Sequence, residues 1–300
     1  MLLQLGGLTF DVTHRALVMG ILNRTTDSFF DQGRYWDFDS FLRKAAGLVA
    51  DGADLLDVGG VKAGPGEYVS PTEELERTLP AIEALRKRFD VPLSIDTWRA
   101  VVAEQAYAAG AVVGNDISGF SDVDYLAVAA RAGATVIATH IRLKPRVADP
   151  EPRYADLVGD IGTFLLERAH RALEAGIAAE RIVIDAGLDL GKTWEQSLEL
   201  LRMSDRHAAL GFPLLLSASN KTFLGKLLDL EVPDRRDASL AATALGISRG
   251  CRVLRVHDVA GTRLVRDTLE RVLASRAETG HHQRDQRVER DQREEGEDSG

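Results

Sequence analysis

Short runs of Val, Ile and Leu without polar alternation recur along this chain, each following a helix end and closing on a polar residue. Six of them are entered through glycine: ADGADLLDVGG (50–60), AAGAVVGNDISG (108–119), RAGATVIATH (131–140), EAGIAAERIVIDAG (174–187), ALGFPLLLSASNK (209–221) and SRGCRVLRVHD (248–258). Such runs suit parallel strands covered on both faces. Gly52, Gly110, Gly133, Gly176, Gly211 and Gly250 suit the left-handed position that stops a helix. Two more runs, ALVMGIL (16–22) and VPLSID (91–96), the second entered through Pro92, bring the strand total to eight. Amphipathic stretches between them predict helices over Phe38–Ala50, Glu73–Arg88, Arg99–Ala109, Asp156–Ala175 and Trp194–Leu201. Strands alternating with helices imply an α/β fold with a parallel sheet. Eight such units favour a closed (β/α)₈ TIM barrel over an open doubly wound sheet. Residues 2–12 precede the first unit and are expected as a short hairpin under the barrel floor.

Polar residues fall where the strands end. The strand tips carry Asn23, Asp57, Asp96, Asn115–Asp116, His140, Asp185, Ser219–Lys221 and Arg255–His257–Asp258. In barrels of this class the C-terminal ends of the strands build the active site. A lone carboxylate or Asn after a strand is as well explained as a cap for the next helix. A whole set converging on one rim is not. Two carboxylates, an asparagine and a lysine suit a planar heterocycle with an amidine-like edge, because a carboxylate accepts two N–H groups in a fork and asparagine both donates and accepts. Arg255 and His257, two apart on a strand, are expected to point the same way and form an anion clamp.

Composition narrows the class. The chain has 300 residues, 45% hydrophobic and 28% charged, within the range of one globular domain of barrel size. One cysteine, Cys251, excludes an internal disulfide and suggests a reducing compartment. The start, MLLQLGGLTFDVTHR, does not read as a signal peptide, and no run has the length of a membrane span. A cytoplasmic location is therefore expected, with no membrane contact. The net charge of −9 argues against nucleic-acid binding. Residues 1–275 are expected to form a single domain. Residues 276–300, almost without apolar side chains, are expected to be a disordered charged tail.

The strings MGILNRTTDSFFDQG (19–33), GADLLDVGG (52–60), GPGEYVSPTEELERTLPAI (64–82), SIDTWRA (94–100), GNDISG (114–119), IVIDAGLDLGKT (182–193), SASNKTFLG (217–225) and RVHDV (255–259) together resemble dihydropteroate synthases, in the family's order and spacing. The resemblance implies a reaction joining 6-hydroxymethyl-7,8-dihydropterin pyrophosphate to p-aminobenzoate in folate biosynthesis. It implies that Asp185, helped by Asn115, grips the amino-pyrimidine edge and that Lys221 bonds the ring carbonyl side. Asp96 would lie near the exocyclic methylene, and Arg255 would stack on the ring. Asn23, Arg255 and His257 would hold the pyrophosphate, with Asn23 also contacting Mg²⁺. Asp96, Lys221 and Arg255 are the implied catalytic residues. Thr25, Asp27, Ser28 and Phe29 would belong to a first covering loop, and the family is commonly a homodimer.

The second loop departs from that pattern. Where the family has Glu-Ser-Thr-Arg-Pro-Gly, this chain has Val61-Lys62-Ala63-Gly64-Pro65-Gly66. Hydroxyls and an arginine that would hold a benzoate are replaced, with Lys62 left as a point charge. The chain also reads Ser219-Asn220-Lys221 for Ser-Arg-Lys, Asp185-Ala186-Gly187 for Asp-Pro-Gly, and Thr139-His140 for Met-His. The pterin half is kept and the p-aminobenzoate half altered, as in a diverged second copy carried by some actinobacteria. The alternative to a working synthase is therefore a pterin-binding paralogue that lacks the condensation. A corrinoid-dependent methyltransferase is the weakest reading. GLDLGKT (187–193) has one residue too few between its glycines for a phosphate loop. Cys251 is expected to be a buried small hydrophobe, and Asp116 and Asp258 to cap or orient neighbours.

Overall fold

Each helix-stopping glycine does what its position predicts: Gly52, Gly110, Gly133, Gly176, Gly211 and Gly250 all have positive φ, between 61° and 112°. The computed structural model describes residues 1–24 and 38–273. The expected loop residues Thr25, Asp27, Ser28 and Phe29, and the expected tail over 276–300, lie outside them.

The strands are β1 (Leu2–Leu5), β2 (Leu8–Asp11), β3 (Leu17–Asn23), β4 (Leu55–Gly59), β5 (Leu93–Asp96), β6 (Val113–Asp116), β7 (Thr135–Thr139), β8 (Ile182–Asp185), β9 (Leu214–Leu216) and β10 (Cys251–Val256). The helices are α1 (Phe38–Ala50), α2 (Pro71–Arg86), α3 (Ala100–Ala108), α4 (Tyr125–Ala132), α5 (Leu157–Glu174), α6 (Trp194–Arg202), α7 (Ser204–Ala208), α8 (Thr222–Leu228) and α9 (Arg236–Ser248). A last helix, α10, runs over 259–273. Local chemistry sets several starts. Ser70 Oγ accepts the Glu73 N–H at 3.1 Å with Pro71 opening α2. Thr193 and Gln196 form a reciprocal capping box at the head of α6.

Eight parallel strands close in the order β10-β3-β4-β5-β6-β7-β8-β9, a (β/α)₈ TIM barrel. The interior has a floor and a rim, and the period of two along a strand builds both. Leu55, Val113, Ile137, Val183, Leu215 and Val253 form one buried apolar cluster inside the barrel, with Leu17 and Met19 of β3. Two residues further on, the same strands present Asp57, Asn115, Thr139, Asp185, Ser217 and Arg255. On β5 the step runs from Ser94 to Asp96. Below the apolar layer, Leu3, Leu5 and Val12 from the β1–β2 hairpin join the cluster and plug the base. Arg181 Nη2 donates to the Gly6 carbonyl at 3.0 Å and ties the hairpin to the barrel wall. A second, larger apolar core fills the space between strands and outer helices, with Leu22, Leu56, Ile95, Val136, Ile184 and Leu254 facing helical residues such as Ala45, Ile82, Ala103, Leu165 and Leu201.

Candidate functional site

The rim residues converge. Asp96, Asn115, Thr139, Asp185, Ser217, Lys221 and Arg255 line one pocket at the C-terminal mouth, together with Ala63 and the loop residues Gly187, Leu188 and Leu190. Register explains the left side of the group, since Asp96 of β5 pairs with Asn115 of β6. It explains the right side too: Thr139 of β7 pairs with Asp185 of β8, and Thr139 Oγ1 lies 3.4 Å from Asp185 Oδ2.

Arg255 is the hub. Its Nε donates to Asp57 Oδ2 at 2.6 Å and its Nη2 to Asp96 Oδ2 at 2.8 Å. Asn115 Nδ2 donates to the same Asp57 oxygen at 3.2 Å. Burial alone would weaken the guanidinium's charge, but Asp57 and Asp96 outweigh it and Arg255 stays protonated. Asp57 is fully buried, and its Oδ1 has no hydrogen-bond partner among the described residues. Burial is also the main influence on Asp96. Reinforced by the Asp57, Glu74 and Asp116 carboxylates and opposed by Arg255, it pushes Asp96 up to about 7.

Asp185 is set by its own loop. Its Oδ1 accepts the Gly187 N–H at 2.8 Å, and its proton affinity is raised by burial against the pull of that bond and of Lys221. Lys221 Nζ donates to the Leu188 carbonyl at 3.2 Å, and burial lowers its pKa. The loop carrying both contacts turns at Gly187, where φ is 66° and an added Cβ would stand 2.0 Å from the His140 carbonyl oxygen. Gly187→Ala is expected to push this loop off the pocket. Differential scanning calorimetry should show a loss of roughly 1–3 kcal/mol, the scale of a forced left-handed residue, with the Asp185–Lys221 spacing disturbed.

Lys192 closes the same loop from beneath. Its Nζ donates to the carbonyls of Gly187 at 2.8 Å, Leu190 at 2.9 Å and His140 at 3.3 Å, and lies 2.9 Å from His140 Nδ1. Burial lowers Lys192 to about 7, and burial with Lys192 nearby lowers His140 to about 2, so the imidazole is neutral. The amine of GLDLGKT thus serves its own carbonyls, which agrees with rejecting a phosphate loop.

Two expected residues stand outside this pocket. His257 is exposed and lines a neighbouring cavity of about 320 Å³ with Ser219, Asn220 and Arg236. Its Nδ1 lies 3.0 Å from Ser219 Oγ, and its own backbone N–H donates to that oxygen at 3.2 Å. Partial desolvation of the inward side of its ring, with the Arg255, Lys44 and Lys221 charges nearby, lowers the pKa of His257 below that of a free imidazole. The pair expected as an anion clamp is therefore divided: Arg255 turns inward to two carboxylates, and His257 sits neutral on the outer side. Asn23 ends β3 beside Gly59. A Cβ on Gly59 would lie 3.1 Å from Asn23 Oδ1 and 3.5 Å from Asp96 Oδ2, so glycine keeps a small oxygen-lined recess open. Asp116 and Asp258 behave as orienting residues. Asp116 accepts the Ser118 and Phe120 N–H groups at 2.6 and 3.0 Å, and Asp258 accepts that of Gly261 at 2.9 Å. Cys251 is buried.

Sequence reasoning named Asp57 only as a strand-tip residue and gave it no role, yet it anchors Arg255 and Asn115. The signal was its place two residues beyond Leu55, the same step that leads from Val183 to Asp185.

A family model described as pterin binding enzyme matches residues 19–257. The chain belongs to the pterin-binding enzyme family. Among its curated relatives, the dihydropteroate synthase of Synechocystis sp. is 44% identical over 260 residues, covering 86% of this chain and 90% of the relative. The protein named inactive dihydropteroate synthase 2 from Mycobacterium tuberculosis is 41% identical over 272 residues, covering 88% and 85%. The dihydropteroate synthase of Yersinia pestis, solved with a sulfonamide drug complex, superposes with a TM-score of 0.85 at 37% identity, covering 92% of this chain and all of that one (100%). The pterin-binding family's relatives thus include both synthases and a protein named inactive, and the chain is a member of this transferase family.

Proposed function

We propose that the pocket binds 6-hydroxymethyl-7,8-dihydropterin pyrophosphate and condenses it with p-aminobenzoate, giving 7,8-dihydropteroate and pyrophosphate. One observation carries the pterin half: Asp96, Asn115, Asp185, Lys221 and Arg255 line a single pocket. Asp185 accepts the paired N–H groups of the amino-pyrimidine edge and Asn115 completes that edge. Lys221, held over the mouth by the Leu188 carbonyl, donates to the ring carbonyl. Arg255 is fixed by Asp57 and Asp96 and offers its flat face to the ring. Asp96, when ionised, offsets the positive charge that grows on the pterin methylene as the C–O bond to pyrophosphate breaks and the aryl amine attacks. Asn23 and His257 would serve the pyrophosphate, His257 as a neutral hydrogen-bonding group.

Mg²⁺ fits as an ion arriving with that pyrophosphate. Asn23 Oδ1 and Asp96 Oδ2 face the recess that Gly59 leaves open, and hard oxygens with few protein ligands are what Mg²⁺ takes beside a phosphate. It would supply charge neutralisation on the leaving group. Among the described residues no group of three His, Cys, Asp or Glu could hold a metal by itself. No described helix is long and apolar enough to cross a membrane. A cytoplasmic homodimer is in keeping with buried Cys251 and with the exposed apolar Leu227, Leu228 and Val232 on the outside of the barrel.

A second reading, a pterin-binding paralogue without the condensation, is favoured by the loop over 61–66. Ala63 faces the pocket and offers no donor to a benzoate carboxylate. A coupled assay for dihydropteroate separates the two. The synthase reading predicts product from both substrates with Mg²⁺, at a rate that falls as pH drops through about 7, because Asp96 loses its charge there. Asp96→Asn should lower the rate at every pH and leave the residual rate without that acid limb. No product above background at high p-aminobenzoate rejects the condensation and leaves the second reading.

A further inference from the structure

The loop over 61–69 does not lie loosely over the pocket. Arg146, in the segment between β7 and α5, reaches across the barrel mouth and holds it. The Arg146 backbone N–H donates to the Ala63 carbonyl at 3.0 Å, and Nη1 donates to the Lys62 carbonyl at 3.0 Å. Nη2 donates to the Glu67 carbonyl. One residue thus gathers three carbonyls of a single loop. The approach is so close that a Cβ on Gly66 would stand 2.6 Å from Nη2. Arg146 itself is in the left-handed region, at φ 70°, a conformation a non-glycine residue keeps only where its surroundings impose it.

The segment bearing Arg146 is anchored in turn. Arg142 pairs with Asp149 through two bonds of 2.5 Å, Nε to Oδ2 and Nη2 to Oδ1, which closes the segment on itself. Gly191 packs on Arg142, so that a Cβ there would be 3.2 Å from the arginine's Cβ. Gly191 ends the loop that orients Asp185 and Lys221. The strap therefore spans from the Asp185 loop to the 61–67 loop, and Ala63 is pressed into the pocket wall between them.

We infer that Arg146 is a positioning residue: it presets the 61–67 loop over the pterin pocket, so that bound pterin is retained by a wall already in place. The part concerning pterin rests on the function proposed above; the part concerning the loop stands on the bonds alone. Arg146 touches no reacting atom in this account. Its guanidinium fork is what the role requires, because two carbonyls diverging from one centre need two donors in fixed geometry.

Wild-type chain, Arg146→Ala and Arg146→Gly decide the matter by limited trypsin cleavage after Lys62 and by stopped-flow release of the pterin pyrophosphate. Glycine relieves the left-handed strain at this position, so that variant should keep its melting temperature while losing the two side-chain bonds. In both variants cleavage after Lys62 should accelerate roughly tenfold, the scale of one or two lost hydrogen bonds, with cleavage elsewhere in the barrel unchanged. Pterin release should quicken by a similar factor. Unchanged cleavage after Lys62 in either variant overturns the inference, as does acceleration spread evenly over the chain. If wild-type protein binds no pterin, the proposed function fails while the cleavage result still decides the role of Arg146.

Discussion

Arg255→Ala should cost about 3–5 kcal/mol of stability, the penalty of removing one partner from a buried ion-pair network. Its guanidinium is the charge facing both Asp57 and Asp96, and Asp57 Oδ1 has no hydrogen-bond partner among the described residues to begin with. For a domain of this size, that corresponds to a drop of roughly 10 °C in melting temperature. The loss should depend on pH in a defined direction. Asp96 is already raised above its ordinary value to about 7 by burial, and Arg255 is the main influence holding it down. Without Arg255 it rises further. A carboxyl whose folded-state value is raised weakens the fold wherever its ionised form would otherwise prevail. The deficit from Asp96 should therefore be larger at pH 8 than at pH 5, where the group is neutral with or without Arg255. Chemical denaturation at the two pH values measures this. Equal losses at both would remove Asp96 from the network's energetics.

Asp185→Ala should spare the fold and remove the ligand. The side chain accepts one loop N–H and a 3.4 Å contact from Thr139, and burial works against its charge. Its loss thus leaves no strong ion pair broken. For a pterin the effect is large. Two charge-assisted hydrogen bonds to one edge are worth about 3–5 kcal/mol together, so affinity should fall by roughly 10²–10⁴. Isothermal titration with the pterin pyrophosphate and Mg²⁺ reads this directly. Asp185→Asn should recover only part of it, since the amide keeps one acceptor and loses the charge. Wild-type affinity in Asp185→Ala would mean that the heterocycle binds elsewhere.

Much of this architecture is written locally in the chain. A glycine that must turn left-handed, followed by an uninterrupted apolar run, locates a strand start from a few residues, and the helices predicted between them agree with the structure to within about two residues, Glu73–Arg88 against Pro71–Arg86 being the widest difference. The rim was legible as a set, since one polar residue after a strand can cap the next helix but nearly every strand carrying one calls for a common use. What escaped was whatever depends on distant segments meeting. Asp57 lies inside an apolar strand, and its partner Arg255 is 198 positions away. The split of Arg255 from His257 follows from what each meets, two carboxylates inside and the Ser219 hydroxyl outside, and strand periodicity carries no information about either. Arg146 had no signal at all, because its meaning lies in carbonyls of a loop about eighty positions earlier.

The altered loop and its strap bear on chemistry as well as on shape. A wall held by carbonyl bonds to Arg146 suits retention of a ligand already inside. Of that loop, Ala63 lines the pocket and carries no side-chain donor. Pterin binding and condensation are thus separable properties of this pocket, and condensation requires pterin binding first.

A crystal of this chain soaked with 6-hydroxymethyl-7,8-dihydropterin pyrophosphate and Mg²⁺ tests pterin binding most directly. One flat ring is expected in the mouth of the barrel, its amino edge on Asp185 and Asn115, its carbonyl side on Lys221, its face on Arg255 and its methylene towards Asp96. Density for the ring anywhere that leaves Asp185 and Lys221 without contact would contradict it.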